Sequence, residues 1–284
     1  MDLKKPADVD TSQAAAPAVV FDHVSLAFDD QVVLRDLSFS LPLGSTTMLV
    51  GASGAGKSIV LKLILGLFRP DSGSIFVNGH QTDHMPEAQL RELRADIGML
   101  FQESALFDSL TVEENVGYRL DEEMRWPMPE VRRRVEEVLG FIGLSPQIDR
   151  MPSALSGGQR RRVAIARAIA PRPRLLLFDD PTVGLDPVTA TSVDDEIIKL
   201  RDLEHVTSVV VTHQMRDAFY IASHRAGRLN GAPQIIPATD ATATGARFMV
   251  LHEGQIVFDG TADQLLAAPD PHLKEFLFKT LPPW

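Results

Sequence analysis

The chain has 284 residues, 44% of them hydrophobic and 23% charged, with 38 acidic against 28 basic side chains and a formal charge of −10. That length and apolar content suit one large or two small globular domains with an ample core, and exclude a collagen-like, disordered or membrane-embedded chain. The acidic balance argues against general nucleic-acid binding, which needs a basic surface. With no cysteine in the chain, disulfides, thiol catalysis and Cys-ligated zinc are ruled out.

Residues 1–16 are polar and Ala-rich, and a mobile tail is expected there. Lys4 and Lys5 are followed by Pro6, Asp8 and Asp10, where a signal peptide needs an apolar core. From Val19, the segments VVFDHVSLAF and QVVLRDLSFSLP alternate as strands do, with a turn at Asp29 and Asp30. TTMLVGASGAGKSIVLKLILGLF then reads as strand, glycine loop and helix. Its greasiest part, 59–68, is interrupted by Lys62 and is too short for the roughly 18 to 20 apolar residues of a membrane helix. Residues 70–84 look like turns around one strand. Helix signals dominate 87–155, where Arg132, Arg133 and Arg134 precede Glu136 and Glu137 as in a solvated, ion-paired helix face. An α/β rhythm returns over 157–213. Residues 227–246 read as an inserted loop, RFMVLHEGQIVFDG as a hairpin turning at Glu253 and Gly254, and 266–284 as a C-terminal helix and Pro-rich tail.

Two local patterns carry chemistry. Gly51, Ala52, Ser53, Gly54, Ala55, Gly56, Lys57 and Ser58 match G-x-x-x-x-G-K-[ST] between an apolar strand and a helix. Glycines let successive N–H groups curl around phosphate oxygens, and the helix directs its positive end at the same anion. Lys57 is expected to reach the β- and γ-phosphates of ATP, and Ser58 to ligate Mg²⁺. The second pattern is the strand 174–178, apolar on both faces and therefore central and parallel, ending in Asp179 and Asp180. Ligands bind at the carboxyl ends of such strands. Asp179 is expected at the Mg²⁺, and Asp180 next to the γ-phosphate, polarising the attacking water.

With Leu155, Ser156, Gly157, Gly158 and Gln159, the sequence resembles the nucleotide-binding subunits of ABC transporters, in which LSGGQ is the signature motif. Further motifs fall in the family's order. Phe28 matches the aromatic that stacks on adenine, Gln102 in LFQ the Q-loop glutamine that meets Mg²⁺, and Asp186 in GLD the D-loop. His213 after VVVT matches the switch histidine. The likeness spans roughly residues 19–265. It implies an α/β P-loop NTPase (RecA-like) core, an antiparallel β subdomain and an α-helical subdomain at about 90–155, within an ATPase domain at 17–265.

The resemblance implies more. The signature residues would complete the ATP site of a second copy of the chain, making an ATP-sandwich homodimer, and Asp186 would be among the nucleotide-binding residues. Gln102 would lie where the subunit meets a transmembrane permease, placing the chain on the cytoplasmic face of the inner membrane. GASGAGKSIVLKLILGL, IGMLFQESALFDSLTVEENV and FDDPTVGLDPVTA look in particular like the ATPases of MCE/Mla-type phospholipid transporters, which implies an MCE lipid-binding protein in the complex. Two departures stand out. Asp180 occupies the place of the family's usual Glu, one methylene shorter, and 227–246 intervenes before the late strand. The alternatives are an ABC ATPase for another cargo, or a soluble ABC ATPase acting on DNA or ribosomes. A single cassette, no sustained heptads and the negative charge disfavour the latter.

Overall fold

The computed structural model describes residues 17–229, 232–238 and 244–281; the N-terminal tail expected at 1–16 and the last three residues lie outside these. The chain begins with β1 (Val19–Phe28), β2 (Gln31–Leu41), β3 (Thr46–Val50), α1 (Lys57–Ile64), β4 (Ser72–Val77), β5 (His80–Gln81), α2 (Glu87–Ala95) and β6 (Ile97–Leu100). Three helices follow, α3 (Val112–Glu122), α4 (Met128–Phe141) and α5 (Gly157–Ile169), then β7 (Leu175–Asp179), α6 (Pro187–Glu204), β8 (Thr207–Thr212) and α7 (Met215–Ser223). The final elements are β9 (His224–Leu229), β10 (Ala232–Pro237), β11 (Ala246–His252), β12 (Gln255–Gly260), α8 (Ala262–Leu266) and α9 (Pro271–Thr280).

A six-stranded sheet in the order β12-β11-β3-β8-β7-β6 forms the centre. Five of its strands are parallel, and β12 closes one edge antiparallel through the turn at Glu253 and Gly254. As the apolar run predicts, β7 is an inner strand between β8 and β6. Because side chains alternate across a strand, the sheet feeds two separate cores. Met48, Val50, Leu176, Phe178, Val210 and Val250 pack with α3 to α9. Leu49, Leu175, Leu177, Val209, Val211 and Met249 pack with α1, α2 and a four-stranded antiparallel sheet ordered β2-β1-β4-β5.

The described residues of 227–246, expected to be a loop, are largely strand, and 230–231 and 239–243 lie outside the described residues. β9 and β10 pair antiparallel as a separate two-stranded ribbon. It is tied down by buried Arg201 of α6, which donates to the carbonyls of Ile221 (2.7 Å) and His224 (2.6 Å). Neighbouring Asp202 accepts from the Ala226 N–H at 2.7 Å. Pro233 and Pro237 sit in β10, which has a neighbour on one side only; such an edge tolerates proline, whereas a central strand does not. Residues 70–84 hold two strands, β4 and the short β5, where one was expected. Arg132 pairs with Glu136 as the helix reading anticipates.

Candidate active site

All five parallel strands point their carboxyl ends the same way, so the loops after β3, β6, β7, β8 and β11 gather on one edge of the sheet. Topology alone thus brings together Lys57, Gln102, Asp179, Asp180 and His213 from four distant stretches of sequence.

The phosphate loop, 51–56, leads from β3 into α1. Gly51 lies directly against β11: a Cβ there would meet the Leu251 carbonyl oxygen at 2.3 Å. Gly56 caps α1 in the left-handed conformation (φ 100°) with no side-chain cap, so no side chain competes with a ligand for the N–H groups of Lys57 and Ser58, while those of Ile59 and Val60 donate to the Gly56 carbonyl. Lys57 is buried; its Nζ donates to the carbonyls of Gly51 and Ala52, both at 2.9 Å, and burial pulls its pKa down against the pull of Asp180 and Asp179. Ser58 Oγ donates to Asp179 Oδ1 at 2.7 Å, and burial pushes the Asp179 carboxyl up. The two carboxylates that end β7 are therefore distinct. Asp179 is turned to Ser58, while Asp180 bends into the left-handed region (φ 45°) and turns to the next strand. Its Oδ1 accepts from the His213 N–H (3.2 Å) and lies 2.8 Å from His213 Nδ1. Lysine, hydroxyl, two carboxylates and an imidazole around an uncapped helix end form an arrangement able to bind a polyphosphate and to move a proton beside it.

Gln102 shares that edge of the sheet without a hydrogen bond to this group, while Phe28, Ser156, Gln159 and Asp186 belong to other elements. Phe28 ends β1 and is 40% exposed, its ring in a T-shaped contact with Phe68 at 5.3 Å. Gln102 follows β6 with its side chain exposed. Ser156 caps α5 reciprocally with Gln159: Gln159 N–H to Ser156 Oγ is 3.2 Å and Ser156 N–H to Gln159 Oε1 is 3.0 Å. Asp186 caps α6, accepting from the N–H groups of Val188 and Thr189 at 3.1 Å, and Thr189 holds its carboxyl below the usual range. α5 and α6 touch directly, since a Cβ on Gly158 would stand 2.0 Å from Thr189 Cγ2. No hydrogen bond among the described residues joins 156–159 to the phosphate loop.

With this geometry in place, comparison with known proteins decides the family. A family model described as ABC transporter matches residues 34–183. The chain belongs to that family. It is 36% identical to the methionine import ATP-binding protein MetN of Cutibacterium acnes, over 93% of this chain and 76% of that protein. It is 35% identical to the intermembrane phospholipid transport system ATP-binding protein MlaF of Escherichia coli, over 93% of this chain and 90% of that one. Among solved structures, a dimeric post-hydrolysis state of the ATP-binding cassette MJ0796 bound to ADP and Pi matches with a TM-score of 0.68 and 28% identity, over 86% of this chain and 98% of that one. This chain is thus an ABC ATPase, with the P-loop NTPase core that its motifs led one to expect.

Several residues of this ABC ATPase escaped the sequence reading. Arg161, about one turn into α5, is buried and grips the loop after β6. Arg167, also on α5, donates to the Ala105 carbonyl at 2.7 Å and lies over the Phe107 ring. Asn115 is fully buried and holds 107–111 by four hydrogen bonds to the carbonyls of Phe107, Leu110 and Thr111 and the Phe107 N–H. A usable signal existed here, because Thr111 and Glu114 form the capping box that T-x-x-E announces.

Proposed function

We propose that this chain is the ATP-hydrolysing subunit of an Mla/MCE-type phospholipid transporter, working as a homodimer beneath a permease on the cytoplasmic face of the inner membrane. The observation that carries the cargo assignment is co-extension: the alignment with MlaF spans nearly the whole of both chains, whereas that with MetN leaves about a quarter of MetN unmatched. The methionine importer's slightly higher identity keeps another cargo as the second reading.

In this reading the N–H groups of 51–56 and Lys57 take the ATP phosphates, and Phe28 stacks on adenine. Ser58 and Asp179, already paired through hard oxygen donors of the type Mg²⁺ takes, would hold that ion with Gln102. Bound there, Mg²⁺ supplies neutralisation of charge on the phosphate oxygens. Asp180 accepts the proton of the attacking water as the water oxygen bonds to the γ-phosphorus and the bond to the bridging oxygen breaks. His213, held at its backbone and ring by Asp180, orients that carboxylate and faces the γ-phosphate. Ser156, Gly157, Gly158, Gln159 and Asp186 serve the second copy's ATP, so each nucleotide joins two chains and hydrolysis loosens the joint. The permease fits a groove of about 880 Å³ beside Gln102, lined by Arg91, Phe101, Ala105, Tyr118, Met124 and Arg167. Among the described residues no helix is long and apolar enough to cross a membrane.

Co-purification tests the proposal. The chain is expressed with its genomic neighbours, drawn from detergent-solubilised membranes, and its companions are identified. A permease, an MCE protein and phospholipid are expected. A permease with a different substrate-binding protein would overturn the cargo, and ribosomal or DNA-processing partners without a permease would overturn the transporter.

A further inference from the structure

The loop carrying Gln102 is held by polar contacts rather than by burial of its first residues. Phe101 is 46% exposed and the Gln102 side chain is exposed, so neither anchors it by burial. Ser104 (φ 64°) and Ala105 (φ 47°) both sit in the left-handed region, which costs a non-glycine residue energy and persists only when the surroundings impose it. Arg167 holds the strained part through the Ala105 carbonyl, and Arg161 holds the start of the loop. Only 5% exposed, Arg161 sends Nη1 to the carbonyls of Phe101 (2.9 Å) and Gln102 (2.5 Å). Its Nη2 reaches the carbonyl of Val183 at 3.4 Å, in the turn between Asp180 and Asp186. The same residue sits on α5 just beyond Gln159, separated from it by Arg160.

We infer that Arg161 is a positioning residue that locks the Gln102 loop and the turn from Asp180 to Asp186 onto the signature helix, so that nucleotide at one ATP site moves the surface offered to the other. This rests on the ATPase reading above. A guanidinium suits the task because its planar fork carries five donors and can reach carbonyls on two loops at once, whereas a lysine ammonium is a point charge on a flexible stem. The partners are carbonyls rather than a contacting carboxylate, with Asp180 the acidic group whose charge acts on it, so the buried cation is held by loop geometry and not by an ion pair. The Nε is buried with no acceptor. A donor left in that state gains from a rearrangement of the loops around it, which is what a relay between two arrangements needs. Arg167 grips the same loop further on, through Ala105, but reaches no part of the turn from Asp180 to Asp186.

The test is hydrogen–deuterium exchange on the full chain, with and without Mg²⁺ and a non-hydrolysable ATP analogue, for wild type, Arg161→Met and Arg161→Lys, with steady-state turnover alongside. In wild type the analogue slows exchange at 51–58, 101–105, 155–159 and 181–186 together. In Arg161→Met, protection at 51–58 persists while that at 155–159 and 181–186 falls at least about fivefold, and kcat falls about tenfold to a hundredfold with KM little changed, as misplacement without lost binding predicts. Arg161→Lys, keeping the charge, recovers protection at 101–105 but not at 181–186. A merely structural arginine would lower Tm and leave the protection pattern of the folded molecules intact. If Arg161→Met does not fold, the same comparison is made on Arg161→Lys. Wild-type protection throughout in a folded variant overturns the inference and leaves the ATPase reading standing. No protection of 51–58 in wild type overturns that reading and the inference with it.

Discussion

Two helix N-termini in this molecule meet the same physical problem and solve it differently. α1 starts at a left-handed glycine with no side-chain cap, next to a buried lysine held over its own loop. α5 starts at Ser156, whose hydroxyl and backbone are both satisfied by the capping box with Gln159. The first end leaves the N–H groups of Lys57 and Ser58 for a ligand and brings the lysine, hydroxyl and carboxylates that a polyphosphate needs. The second is complete as a helix; what distinguishes it is the contact of Gly158 with Thr189 and the grip of Arg161 on two loops. An uncapped N-terminus can be a site within one chain, while a capped one can act as a lid for another, and its place in the fold matters more than its side chains.

The strongest test of this contrast is Lys57→Ala. It removes the central cation of the self-contained site, and ATP turnover should fall by about 10² to 10³ while the far-ultraviolet circular dichroism stays unchanged. Retained turnover would mean that α1 is not the phosphate site. Asp180→Asn follows. It keeps the shape and the contact with His213 but removes the basic oxygen, so turnover should drop by about 10² or more with analogue binding retained. Unchanged steady-state turnover would remove Asp180 from the chemistry.

Gly158→Ala addresses the other helix end. The added methyl meets Thr189 Cγ2 at 2.0 Å, and such overpacking costs about 1–3 kcal/mol, to be read in urea melts. Thr189→Ser removes the clashing methyl and keeps the hydroxyl beside Asp186, so the double variant should recover most of that loss. A loss that the double variant leaves unrelieved would show that the two helices do not meet through this glycine.

The smallest effect concerns the wall behind both sites, where α6 meets α7. Asp194 is 1% exposed, and burial together with Asp217 and Asp195 pushes its carboxyl up to about 9, with Arg216 pulling the other way. Beside it Asp217 accepts from Thr182 and Asp195 from the Tyr220 hydroxyl. A carboxyl raised in the folded state contributes stability that is present below its unfolded value near 4 and is lost as pH climbs toward 9. Asp194→Asn, neutral throughout, should be more stable than wild type at pH 8 by at least about 1.4 kcal/mol, the equivalent of one pH unit. The gap should close by pH 4. Parallel melting curves at both pH values would mean that Asp194 is ionised in the folded chain.

Much of the site was legible because its signals are local. Glycine spacing before Lys57 and Ser58 marks a phosphate loop, and an apolar strand ending in Asp179 and Asp180 places carboxylates at the ligand edge of a sheet, whatever the rest of the chain does. The ribbon of β9 and β10 was not legible, since Pro233, Pro237 and the surrounding glycines and alanines have loop composition and become strand only on a tethered edge. Asp194 was hidden for a similar reason: an Asp-Asp-Glu run on a helix resembles a solvated face, and its burial depends on where α7 lies.

Apart from β5 and the ribbon of β9 and β10, the sequence by itself determined the order of strands and helices, together with the phosphate loop and the acidic strand end, because each is written in the spacing of neighbouring residues. Tertiary structure alone decided which alternate side chains of the sheet feed which core, and that Asp180 turns to His213 while Asp179 turns to Ser58. It alone placed Arg161 against carbonyls 60 and 22 residues away in sequence. The reason is physical. A propensity or a turn depends on a few adjacent residues, whereas a buried guanidinium has value only where distant backbone oxygens happen to converge, and that convergence is a property of the packed sheet.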